Sequence, residues 1–146
     1  MKKSKSRLVR VLVAVIVASA VVGTVYSIVE RRAIAREVEQ SRTTALSSTS
    51  AATSPDDARR WLAANGYRVI VWNPYEPRGF VGHQTAPDGH YLVVQGQRPL
   101  RPGNRFANTK RTWLDLTFRF TTAGAFHDVQ ADPSPLETPS ARASPN

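Results

Sequence analysis

Along the chain the hydrophobic pattern changes character four times. Val11 to Val29, VLVAVIVASAVVGTVYSIV, is nineteen residues without a charge. As a helix rising 1.5 Å per residue it is about 28 Å long, close to a hydrocarbon core of about 30 Å. Backbone amides and carbonyls in lipid must be satisfied within the segment, which predicts a helix here despite the β-branched valines. From Glu30 to Arg42 the residues are polar helix formers, with Ile34 and Val38 as the one spaced apolar pair. This predicts a few further helical turns, too poor in apolar positions for a coiled coil. Thr43 to Thr53, TTALSSTSAAT, is small and uncharged and predicts a flexible spacer.

A folded domain is expected over residues 54–132. Ser54-Pro55-Asp56-Asp57 offers a serine N-cap, proline at the first helical position and two acids beside the positive helix end. Ala58, Trp61 and Leu62 then mark one helical face, and Asn65-Gly66 supplies a stop. Beyond it the period becomes two. Strands are predicted over Tyr67 to Trp72, His90 to Gln95, Thr112 to Thr121 and Ala125 to Ala131, with a weaker strand signal over Phe80 to Gln84 and turns at Pro87-Asp88-Gly89 and Thr122 to Gly124. Thr112 to Thr121 carries the clearest alternation: Leu114, Leu116, Phe118 and Phe120 face one way, and Trp113, Asp115, Thr117 and Arg119 the other. One short helix and roughly four strands define an α+β domain, an antiparallel sheet covered on one face, with Trp61 and Leu62 against Leu116 and Phe118. The tail from Pro133 to Asn146 is rich in proline and serine and is expected to be disordered.

Charge changes the picture at the apolar segment. The net charge is +9 over 146 residues. Met1 to Arg42 holds nine basic and three acidic residues, or +6, whereas Ser54 to Pro133 holds ten and seven, or +3. Most of the excess therefore flanks the apolar helix, where membrane topology accounts for it, and nucleic acid is disfavoured as a partner. Lys2, Lys3, Lys5, Arg7 and Arg10 form an acid-free N-terminus, which predicts residues 1–10 inside and the domain outside the cytoplasm. Ala18-Ser19-Ala20 has the small-x-small form of a signal cleavage site, but Val21 to Val29 stays apolar beyond it, which favours an uncleaved anchor. Composition and layout suggest the inner membrane of a bacterium. Ser19, Gly23 and Ser27 lie four apart on one helical face, a stripe that permits helix–helix dimerisation in lipid.

Candidate chemistry is sparse. With no cysteine there are no disulfides, thiolate metal sites or cysteine nucleophiles. The three histidines, His83, His90 and His127, match no zinc spacing, although His90 and His127 are placed to approach across the sheet. Phosphate-loop and nucleophile-elbow motifs are lacking, and Asp115, Asp128 and Asp132 read as outward strand and loop positions. No catalytic residue, cofactor or metal is therefore expected. Two surfaces remain as candidates for a partner. A loop from Arg98 to Arg111 gathers Arg98, Arg101, Arg105, Lys110 and Arg111 without an acid, suited to an envelope protein, an anionic polymer or acidic lipid headgroups. Trp113, with Trp72 or Tyr75, is expected to expose aromatic surface on the sheet face away from the helix. The functional expectation is an anchored extracytoplasmic interaction domain; the alternatives are a small ligand-binding or hydrolase domain around Trp113 and His127, and a cytoplasm-facing nucleic-acid or lipid binder.

The topology is directly testable. A reporter active only outside the cytoplasm, fused after Asn146, is expected to give an active, full-length, membrane-bound product. A shortened soluble product would mean cleavage near Ala20, and an inactive one would reverse the orientation.

Overall fold

The computed structural model describes the backbone of residues 2–101 and 112–135, and the side chains of residues 9–100 and 112–135. The chain divides into two compact units, Met1–Arg36 and Glu37–Asn146. Among the described residues there are two helices, α1 (Lys2–Ser47) and α2 (Pro55–Ala64), and five strands: β1 (Arg68–Val69), β2 (Val81–Ala86), β3 (Gly89–Arg101), β4 (Thr112–Phe120) and β5 (Phe126–Ser134).

In the first unit the valines of α1 stand free of other protein groups, Val11 at 63% and Val22 at 68% exposure. Among the described residues this is the one helix long and apolar enough to cross a membrane. Thr24 donates its hydroxyl to the Ala20 carbonyl at 2.9 Å, so its polar atom is satisfied inside the apolar stretch.

Helix α1 does not yield to a flexible spacer at Thr43 but runs on to Ser47. Thr43 and Thr44 bond back to the carbonyls of Glu39 and Gln40, both at 2.8 Å. In the second unit Ser41 and Ala45 of this helix are buried. Tertiary burial thus holds as helix a stretch whose composition suggests a linker.

Helix α2 begins as its capping residues dictate. Ser54 accepts from the Asp57 amide and Asp57 reaches back to the Ser54 amide, a reciprocal capping box. These bonds from Ser54 hold the Asp57 carboxyl below the ordinary carboxylate range. At the other end Gly66 takes φ 77°, and the Tyr67 amide returns to the Leu62 carbonyl at 3.0 Å.

The sheet is antiparallel, in the order β1-β3-β4-β5, with β2 also paired to β3. At thirteen residues β3 is long enough to hold β2 along its first half and β1 near Gly96 and Gln97. It extends past the expected end at Gln95, carrying Arg98 to Arg101 into the sheet, because a register shift between Pro99 and Arg101 accommodates the proline. Strand β5 likewise runs through Pro133 to Ser134, further than the predicted end, because an edge strand tolerates a missing amide. Strand β1 is shorter than predicted. After Ile70 the chain leaves the ladder for a turn in which the Trp72 and Asn73 amides both bond to the Gly79 carbonyl.

Leu114, Leu116, Phe118 and Phe120 are all fully buried, as the alternation predicts. Trp61 meets Phe118 edge-on, with ring centroids 5.6 Å apart, and Leu62 lies over Gly96. A Cβ built on Gly96 would stand 2.7 Å from Leu62 Cδ2 and 2.9 Å from Tyr67 Cβ. The absent side chain there lets α2 approach the sheet. Replacing Gly96 with Ala is expected to cost about 1–3 kcal/mol through overpacking, and Phe118 with Ala about 3–5 kcal/mol. Thermal unfolding read by tryptophan fluorescence checks both; an unchanged midpoint for Gly96→Ala would contradict the close approach.

Candidate functional site

Strand alternation separates two faces of the sheet. Register places Gly96 with Leu116 and Val94 with Phe118 on the α2 face, and Gln97 with Asp115 and Val93 with Arg119 on the other. That second face combines a polar network with aromatic side chains, since Trp113 and Tyr91 share it and the Trp72 indole packs on Gly82 opposite Val93.

One row crosses it from β1 to β5. Arg68 donates to Gln97 at 3.3 Å, Gln97 donates to Asp115 at 2.6 Å, and Asp115 stands opposite Asp132. Gln97 is 1% exposed. Asp115 is half-buried rather than fully outward, and burial pushes its carboxyl above the ordinary range, with the neighbouring Asp132 charge adding to the effect. A second cluster centres on Arg119, which is 6% exposed. It forms a two-pronged pair with Asp128 at 2.6 Å for each bond, and its guanidinium lies 4.6 Å over the Tyr91 ring. The Tyr91 hydroxyl donates to Asp88 at 3.0 Å, holding that carboxyl below its ordinary value, and His127 stacks on Tyr91 at 4.9 Å. Each charge in this second cluster already has a partner, so its evident role is to join β3, β4, β5 and the β2–β3 turn.

Of the predicted partner-binding residues, the side chains of Arg98 and Trp113 are among those described. Arg105, Lys110 and Arg111 lie outside the described residues, as does the Arg101 side chain. Arg98 belongs to β3 and is engaged internally: it pairs with Glu37 at 3.3 Å, donates to Ser41 at 3.0 Å and lies 5.1 Å over the Tyr67 ring. Arg42 adds a bond to the Val129 carbonyl at 3.2 Å. Arg98 and Arg42 thus fasten residues 37–45 to the sheet. Trp113 is half-buried. Trp72 is 45% exposed, with its indole against Gly82, where an added Cβ would come within 2.6 Å; Tyr75 is 80% exposed. His90 meets Thr85 at 3.1 Å instead of His127. Among the described residues no three His, Asp or Glu side chains gather to hold a metal. Ser19, Gly23 and Ser27 share one face of α1, with Ser19 and Gly23 exposed and Ser27 half-buried.

A cavity of about 460 Å³ opens between α2 and the 69–80 segment, within the size range of small-molecule sites. Its floor is apolar: Val69 and Val71 are half-buried and Phe80 is 6% exposed. Arg59 and Arg60 border it from α2, and Pro74, Glu76 and Pro77 from the turn. The turn is fixed by close backbone contact. Asn73 Oδ1 accepts from the Tyr75 amide at 3.2 Å, Asn73 donates to Glu76 at 2.8 Å, and a Cβ on Gly79 would fall 1.5 Å from the Asn73 carbonyl oxygen. Sequence reasoning missed this cavity by joining Tyr67 to Trp72 into one strand. The available signal was Pro74, Pro77 and Gly79 in close succession, beside an α2 face carrying two adjacent arginines.

No protein-family model matches the chain, and neither a curated protein nor a solved structure matches it.

The Asp115 environment has a measurable consequence. Its folded-state value lies above the ordinary 3.8, so between that value and its folded-state value the folded chain keeps a proton that the unfolded chain releases. Its contribution to stability is fully present below 3.8 and is lost as pH rises through the folded-state value. Asp115→Asn keeps an acceptor for Gln97 and removes the titration. The stability of wild type relative to Asp115→Asn should therefore decline across that window in unfolding midpoints taken over a pH series. A flat difference would show that Asp115 titrates normally.

Proposed function

We propose that the chain is a membrane-tethered binding module, with its α+β domain outside the cytoplasm and its recognition surface at the cleft between α2 and the 69–80 segment. The observation that carries this reading is the cleft itself: an apolar floor, an arginine rim and a rigid backbone wall, in a chain that also holds a helix able to cross a membrane. Placement outside the cytoplasm follows from the basic N-terminus. The inner membrane of a bacterium is the setting proposed for it.

Two earlier surfaces are less suited to the role. The sheet face opposite α2 uses its buried Arg119 and Gln97 for internal pairing, and Arg98 is held by Glu37 and Ser41. A hydrolase reading is weakened further because Asp115 has Gln97 and Asp132 beside it but lies on the face away from the cleft. The cleft instead offers an apolar floor with charged groups at its rim, Arg59 and Arg60 on one side and Glu76 on the other.

A fragment screen on the full chain in lipid nanodiscs, read through the methyl signals of its valines, tests the reading. Fragments of mixed charge are expected to shift Val69 and Val71 and to leave Val129, on the β5 edge, unmoved. A library that moves no cleft signal would remove the cleft as the binding surface.

A further inference from the structure

We infer that the cleft is built for a small apolar monocarboxylate, with its hydrocarbon or aromatic body on Val69, Val71 and Phe80 and its carboxylate on the guanidinium of Arg59. This rests on the cleft being the module's binding surface.

The charge inventory around the cavity selects the ligand class. Arg60 is committed to Asp57 at 2.6 Å, and Arg78, on the turn, to Asp56 at 3.0 Å. Arg59 differs: it has no carboxylate partner among the described residues, and its guanidinium carbon lies 5.1 Å from the centre of the Phe80 ring. A ring contact offers no hydrogen-bond acceptor, so the guanidinium N–H groups keep their capacity for a ligand, and two of them match the two oxygens of a carboxylate. The contact with Phe80 also restrains the side chain, so less rotamer freedom is lost when a ligand binds.

The rim sets an upper limit on ligand charge. Glu76 borders the same cavity and accepts a hydrogen bond from Asn73 at 2.8 Å. One uncommitted cation beside one fixed anion suits a monoanion, whereas a phosphate monoester would bring a second negative charge toward Glu76. A primary amine would meet Arg59 as a like charge. The floor then asks for apolar bulk, because Val69 and Val71 are only half-buried and would be covered by a ligand body. An apolar body carrying one carboxylate satisfies all three demands at once.

The test compares three probes of one shape, 3-phenylpropionate, 3-phenylpropan-1-ol and 3-phenylpropylamine, titrated into the full chain in nanodiscs, with empty discs as the blank. Shifts of the Val69 and Val71 methyl groups give the affinities. The acid is expected to bind most tightly and the amine most weakly. Arg59→Gln is expected to weaken the acid by about tenfold or more, leaving the alcohol within about twofold. Arg59 is exposed on α2, and unchanged methyl spectra of the free variant would confirm that its fold is intact. Equal binding of acid and alcohol, or an acid indifferent to Arg59→Gln, would overturn the ligand class while leaving the cleft as a binding surface. If none of the three moved Val69 or Val71 while other fragments did, the ligand class alone would fall. If nothing moved them, both readings would fall together.

Discussion

The domain is organised by the burial of one face of β4. Leu114, Leu116, Phe118 and Phe120 lie at the middle of the sheet, and each is fully buried. Fully burying four such side chains is favourable by about 1.5–3 kcal/mol each, a large share of the stability of any small domain. That row requires a cover on its side, and α2 supplies it through Ala58, Trp61 and Leu62. The cover needs close approach, which Gly96 permits. Once α2 is seated, its outer edge and the chain returning from Tyr67 necessarily leave an angle between them. The turn at Asn73 to Gly79 walls that angle and makes it a cleft.

The opposite face follows a different logic. Strand alternation places Arg119, Asp128, Gln97 and Asp115 there whether or not they are wanted for binding. Arg119 and Gln97 are so deeply covered that their polar atoms must find partners within the protein. They do so through Asp128, Tyr91, Asp115 and Arg68, and cross-strand pairing becomes the main content of that surface. Arg98 shows the same competition on the α2 side. A cation that would be a recognition group in a free loop becomes a fastening once β3 carries it beside Glu37, Ser41 and Tyr67. The energetic alternative, a half-covered guanidinium without a partner, is the less favourable one.

Arg59 stands apart because it sits on the outer face of a short helix. Its neighbour Arg60 has Asp57 one turn earlier, whereas Arg59 has Phe80. A ring attracts a guanidinium without accepting its hydrogen bonds, so the N–H groups remain available. Structural economy therefore leaves, among the described residues, Arg59 without a carboxylate partner at the mouth of an apolar cavity, which is the basis of the binding role proposed for the cleft.

The sequence alone determined the local features. Nineteen uncharged residues specify a helix able to cross a membrane; Ser54 and Asp57 fix the start of α2; strict alternation from Leu114 to Phe120 fixes both β4 and its buried face. Each of these depends on interactions within a few residues or on a period that repeats. Tertiary structure alone decided where α1 ends, because Ala45, beyond the predicted helical turns, is held in the helix by burial against the domain. It also decided how far β3 and β5 run past their prolines, which depends on a bulge and on an edge position. It brought Phe80 under Arg59, twenty-one positions earlier in the chain. A cleft is the space left between elements that meet across sequence, and neither composition nor period encodes that separation.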